Sequence, residues 1–203
     1  MYWYVPTLGY WEARWSPQFK VDTSTRWWSG FKWDTGVPVE YNGEVLTATQ
    51  TSPHDCYPDF FAIRHYPRAA SQRFRDLVEA IEPGIHQFFP LNLLNKSGEA
   101  IDPPYFLFNV TQSYECINPE KSALDWREWD GRGADGKPMR LKRLAIKSED
   151  GLVLRKELVA GRHMLRSKGE GVLNGCLFFS DELASAIKKA RLLGAFMYPA
   201  KEE

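Results

Sequence analysis

A net charge is the first thing this sequence lacks: its 203 residues hold 26 Lys or Arg against 26 Asp or Glu. With no global field, attraction to nucleic acid or to an anionic membrane is not expected. Cysteine is scarce. Cys56, Cys116 and Cys176 stand sixty residues apart, too few and too scattered for a disulfide framework. With no C-x₂-C and no paired histidines beside them, neither a metal nor another cofactor is expected. No run approaches the ~20 apolar residues of a membrane helix, and the start, MYWYVPTLGYWEAR, has no charged-then-apolar leader. The expected setting is the reducing cytoplasm.

Catalytic signatures are missing too. There is no G-x-x-x-x-G-K-[ST] phosphate loop, no G-x-G-x-x-G, no G-x-S-x-G elbow, no H-E-x-x-H and no deaminase H-x-E with P-C-x-x-C. His54-Asp55-Cys56 is the most reactive-looking local cluster. Neighbours on an extended chain point apart, however, so adjacency supplies the thiol with no base, and an ordinary loop cysteine is expected.

What is present is a chain of globular composition, 43% hydrophobic and 26% charged, long enough to bury roughly 70% of its unfolded surface without staples. Two asymmetries stand out. Six of the eight tryptophans (Trp3, Trp11, Trp15, Trp27, Trp28, Trp33) lie in the first 33 residues. Charge sums to −3 over residues 1–60, −3 over 61–136 and +6 over 137–203, so neutrality is a cancellation. The basic stretch from Lys137 to Lys168, on predicted strands and without a nucleic-acid motif, reads as a sheet face with acidic neighbours.

Two helices are marked. In SQRFRDLVEAIEPG, Phe74, Leu77, Val78 and Ile81 form one apolar stripe, Ser71 caps the start, and Pro83-Gly84 ends it. In SDELASAIKKARLLG, Ser180 is the cap, Asp181 and Glu182 sit at the positive end of the dipole, and Gly194 suits the left-handed terminal position. Strands fill most of the rest. Asn42-Gly43 predicts a hairpin between VPVEY and EVLTAT. YFLFNVTQ predicts a half-buried strand with Phe106, Phe108 and Val110 on one face, and LVLRKELV, GCLFF and AFMYP are further strands. MRLKRLAIKSE changes apolar phase between Leu141 and Leu144, which predicts a bulge near Lys142-Arg143. Residues 118–138, with Gly131, Gly133 and Gly136, read as a mobile loop. The pattern is α+β, a mostly antiparallel or mixed sheet with two or more short helices packed on it and a β-rich N-terminal segment. The expected organisation is a Trp-rich strand-and-loop segment over 1–66 and an α+β region over 67–203, within one compact domain.

Partner-binding residues are sought where aromatics meet charge. LDWREWDG brings Asp125, Glu128 and Asp130 beside Trp126 and Trp129, which reads as an anchored acidic patch for a basic partner. It reads alternatively as a sugar subsite, or as a solvated loop with its tryptophans folded back on the body. Trp27, Trp28 and Trp33 form a second candidate group. Core packing accounts for most N-terminal tryptophans, but neighbours such as Trp27-Trp28 face opposite ways on a strand, which leaves one outside. Spacing like that of Trp11 and Trp33 occurs in tandem-tryptophan peptide-binding modules, whose compact three-stranded context this chain lacks. Two other classes stay open: a sugar- or nucleotide-acting enzyme with a carboxylate pair and a tryptophan platform, and a carbohydrate-binding module.

Beyond these patterns, the run from Ser71 to Ser122 resembles the central block of a bacterial polymorphic-toxin immunity family, named for a myxobacterial immunity domain and earlier catalogued as a domain of unknown function. The resemblance is carried by the helix from Phe74 to Ile81, by His86 to Pro90 (HQFFP), by YFLFNV at Tyr105 to Val110, and by Asn118 to Ser122 (N-x-x-x-S). LFFSDELASAIKKARLLGAFMYP resembles the family's ending, a short strand, a capped helix and a Gly-Phe-Pro tail. The two blocks cover about 71–122 and 139–199. The chain departs from the pattern at Gly194-Ala195-Phe196 and in its Gly-rich stretch around 131–136. The resemblance implies a cytoplasmic, non-enzymatic immunity protein (an antitoxin) that occludes one cognate toxin and protects the producing cell. The toxin would be encoded by the adjacent gene and used in interbacterial competition, for instance through type VI secretion. It assigns no toxin-contacting residues and no oligomeric state.

Overall fold

Strand pairing organises the molecule. The computed structural model describes residues 1–5, 17–22, 36–53, 56–63, 68–132, 138–147, 151–169 and 176–203. The first sheet is built from β1 (Tyr2–Val5), β8 (Ser113–Tyr114), β11 (Val153–Leu154), β12 (Met164–Ser167), β13 (Leu177–Ser180) and β14 (Tyr198–Glu202), in the order β11-β14-β1-β13-β12-β8. The second holds β2 (Phe19–Val21), β3 (Leu46–Gln50), β4 (Phe60–Ala62), β5 (Arg68–Ser71), β6 (Gln87–Leu94) and β7 (Tyr105–Asn109), in the order β2-β3-β6-β7-β5-β4. Both sheets are mixed: β3–β6, β8–β12 and β11–β14 are parallel and the other pairs antiparallel. Among the described residues, strands β9 (Leu124–Arg132) and β10 (Pro138–Ile146) pair only with each other. Three helices complete the described residues: α1 (Gln72–Ile81), α2 (Lys156–Val159) and α3 (Asp181–Lys189). The fold is α+β and dominated by its sheets.

The side-chain period of two divides the apolar residues among three cores. The central core lies between the sheets. It gathers Val5, Leu177 and Phe179 from the first sheet, Phe60, Ala70 and Phe108 from the second, Phe74 and Val78 from α1, and Leu183 and Ile187 from α3. The Phe60 and Phe74 rings stack at 4.7 Å, with Phe108 and Phe179 against their edges and flanks. Alternate residues of the same strands point the other way. Tyr105 and Leu107 join Leu46, Phe61 and Leu91 on the outer face of the second sheet. Cys176 and Phe178 join Tyr4, Leu154 and Leu165 on the outer face of the first. Because both faces are covered, YFLF and LFFS read as continuous apolar runs. YFLFNV is therefore not half buried as its alternation predicts: all five residues of β7 are buried.

Both predicted helices form with their predicted caps. The Ser71 hydroxyl accepts from the Phe74 N–H and the Ser180 hydroxyl from the Leu183 N–H. The end of α3 differs. Arg191 (φ +53°), not Gly194, holds the left-handed position that closes the helix, and Arg191 and Leu192 N–H groups donate to the carbonyls of Lys188 and Ile187. This double bond closes the helix, with Leu192 and Ile187 sharing the central core. Gly194 answers a different need. Its φ is +99°, and a Cβ there would sit 1.9 Å from the Phe60 carbonyl oxygen, so the backbones of the loop and β4 meet where only glycine fits.

Four other expectations are corrected. Gly43 does turn (φ +88°), with the Glu44 N–H on the Asn42 side chain. VPVEY, however, forms no strand beside it. Val39 exchanges its backbone hydrogen bonds with the Gln87 amide, and β3 pairs with β2 and β6. LVLRKELV divides into β11 and α2, since Lys156–Val159 turns helical after Arg155. Residues 124–132 are strand, not loop, and β10 runs from Pro138 to Ile146 with one-to-one pairing and no bulge. The bulge was inferred from a need to bury one face. A two-stranded ribbon outside the main sheets carries no such constraint.

Candidate functional site

The candidate site is the β9–β10 ribbon, and its geometry begins at the base. Asn118 and Ser122 tie the approach to β11: the Asn118 N–H donates to Val153 O, and the Ser122 hydroxyl accepts from the Val153 N–H. Ala123 N–H donates to Gly151 O and Lys147 N–H to Ala123 O. Leu124 and Ile146, paired at the root, pack against the outer core of the first sheet. The N-x-x-x-S segment thus acts as a bracket from which the ribbon leaves the body.

Beyond the root the described side chains are exposed. Trp126 is 59% accessible, unusual for the largest apolar side chain. Strand alternation places Trp126, Glu128 and Asp130 on one face and Asp125 on the other. Across the ladder Arg140 lies opposite Asp130, and its guanidinium reaches Asp130 at 3.5 Å and Glu128 at 3.3 Å. The structure therefore joins three of the predicted residues, separates Asp125 from them, and offsets part of their charge from within. Glu128 and Asp130 share Arg140 on an open strand and do not face each other across a cleft. The Trp129 backbone is paired with Leu141; its side chain, and Trp27, Trp28 and Trp33 entirely, lie outside the described residues.

Two polar nodes escaped the sequence reading. Glu82 closes α1 and is buried. Its carboxylate accepts from the N–H groups of His163 (2.7 Å) and Met164 (2.9 Å), from Gln112 (3.2 Å), and from Nε2 of the fully buried His86 (2.9 Å). Nδ1 of the same ring accepts from the Thr111 N–H, so His86 donates through Nε2. Burial alone would raise the Glu82 pKa, but the hydrogen bonds from His86 and the His163 backbone outweigh it and hold the carboxyl below its ordinary value. Asp59 is the second node. It accepts from the Ser71 hydroxyl and the Leu193 N–H, joining the cap of α1 to the loop after α3. Proline beside each of them, in IEPG and YPDFF, reads only as a chain break.

Thiol chemistry is muted where it is buried. Burial pushes Cys116 up to about 12 and Cys176 upward as well, while Cys56 is exposed. Among the described residues no three His, Cys, Asp or Glu side chains are grouped to hold a metal ion, and no helix is long and apolar enough to cross a membrane.

Fold and site together define a sheet-rich α+β protein that carries an exposed tryptophan on an appended ribbon. The sequence model described as "Immunity protein family (Imm11)" matches residues 26–202, and the chain belongs to that family. The match starts ahead of both resembling blocks and runs through the stretch between them, so it takes in the whole ribbon. An immunity role and a toxin as partner follow from that membership. A comparison with curated proteins gave no match.

Proposed function

We propose that this protein binds one cognate toxin in the cytoplasm and neutralises it by covering the surface the toxin needs, so protecting the cell that makes both. The observation that carries the reading is Trp126, largely exposed on a ribbon built outside the two main sheets. Such a side chain costs little conformational entropy to immobilise and has a large area to bury, which makes it an interface anchor. Glu128, Asp130 and Arg140 around it supply a polar rim. Asp125 on the other face extends the contact, and the tryptophans at 27, 28 and 33 form its second candidate group. The toxin is expected from the adjacent gene and is delivered between competing bacteria.

Co-expression tests this. The toxin alone should arrest growth, the pair should grow, and the two chains should co-purify. Killing that persists with this protein present, together with no co-purification, would sink the proposal. Reversing charge at Asp125, Glu128 and Asp130 should weaken toxin binding and leave the melting temperature nearly unchanged; unchanged affinity would remove the ribbon from the interface.

A further inference from the structure

The loop that follows α3 presents two exposed apolar side chains of its own. Leu193 is 54% and Phe196 50% accessible, while their neighbours Leu192, Ala195 and Met197 turn into the central core. Two outward apolar side chains on a loose loop would mean little. This loop is fixed. Leu193 donates its N–H to the buried Asp59 carboxylate and accepts from the Phe60 N–H at 3.1 Å. Gly194 lies against the Phe60 carbonyl, and Arg73 from α1 reaches the Ala190 carbonyl at 2.7 Å. An exposed pair held this way loses little freedom on binding.

The rim is cationic. Arg73, whose guanidinium is paired with Asp59, is exposed, and so are Lys189 and Arg191, just ahead of the pair in the chain. Lys188, one residue back, lies over the Trp3 ring at 3.6 Å. The carboxylate beneath the loop is Asp59, buried, accepting from Ser71 and Leu193 and facing the Arg73 guanidinium at 3.7 Å. The surface is thus opposite in sign to the acidic residues around Trp126. We infer that Leu193 and Phe196, with Lys189 and Arg191, form a second docking face that seats in an apolar pocket rimmed by carboxylates on the toxin. This rests on the toxin-binding reading and extends it from one anchor to two of opposite rim charge. The choice of a protein pocket follows from the pair's size and fixation together with its basic border.

The test uses the full-length protein and the purified, catalytically inactivated toxin. Three variants are compared with the wild type: Leu193→Ser with Phe196→Ser, Lys189→Glu with Arg191→Glu, and Trp126→Ala. The serine pair should lower affinity about tenfold or more with an unchanged thermal melt. The charge-reversed pair touches no core residue, and it should slow association and flatten its salt dependence. Serine-pair and charge-reversed affinities both within about twofold of wild type, while Trp126→Ala weakens binding, would overturn this face and leave the ribbon reading standing. Wild-type protein that fails to bind the toxin would overturn both. Co-sedimentation of wild type with phosphatidylserine vesicles, lost in the serine pair, would reassign the face to a membrane and overturn the inference.

Discussion

At the scale of single residues, Glu82 shows how much one buried carboxylate can hold in place. It joins the end of α1 to the His86 ring, to Gln112 and to His163 and Met164 at the entry of β12 through four donors. Glu82→Gln would turn an amide NH₂ toward N–H groups that need an acceptor, and should cost about 3 kcal/mol in chemical denaturation. The sign of the pH effect follows from its depressed pKa. The stabilisation is complete above the ordinary carboxylate range and is lost as pH falls through the lowered folded value. Wild-type stability should therefore decline in acid more steeply than that of the variant; equal slopes would count against this role. Cysteine gives a simpler prediction. A thiol reagent near neutral pH should modify one cysteine in the native protein, Cys56, and three after denaturation. Early reaction at Cys116 or Cys176 would mean that the cores open readily.

At the scale of elements, the helices were legible because their information is local. Ser71, Ser180 and the apolar stripes sit within a few residues of what they specify. Ser71→Ala should cost about 1–2 kcal/mol, since its hydroxyl also donates to Asp59. A melt within error of wild type would contradict that linkage. Gly194→Ala should destabilise by about 2 kcal/mol or more, because the new methyl meets the Phe60 carbonyl at a left-handed φ. The ribbon was far less legible. Glycines at 131, 133 and 136 and the phase change at Lys142-Arg143 look like loop and bulge when a strand is assumed to bury one face. Paired only with each other, β9 and β10 escape that assumption. The tryptophan and carboxylates of the site were visible in LDWREWDG. Their division between two faces, and the Arg140 that draws two of them together, depend on a register the sequence did not specify.

At the scale of the whole molecule, the near-zero net charge conceals opposite local surfaces. The exposed acids of the ribbon and the basic end of α3 fall in segments of opposite sum, and folding leaves them on separate elements. Raising salt should slow toxin association without abolishing the complex, because the two apolar anchors remain. Salt-independent association would argue that neither rim steers the encounter.

The position of β1 carries one more implication. Its two neighbours, β13 and β14, are at the far end of the sequence. During synthesis, residues 2–5 emerge long before either partner, and they pair only once β13 and then β14 have been made. The sheet that supports the ribbon therefore closes as a late, long-range event. Toxin made at the same moment would meet an incomplete defender, so protection should depend on antitoxin translated ahead of its target.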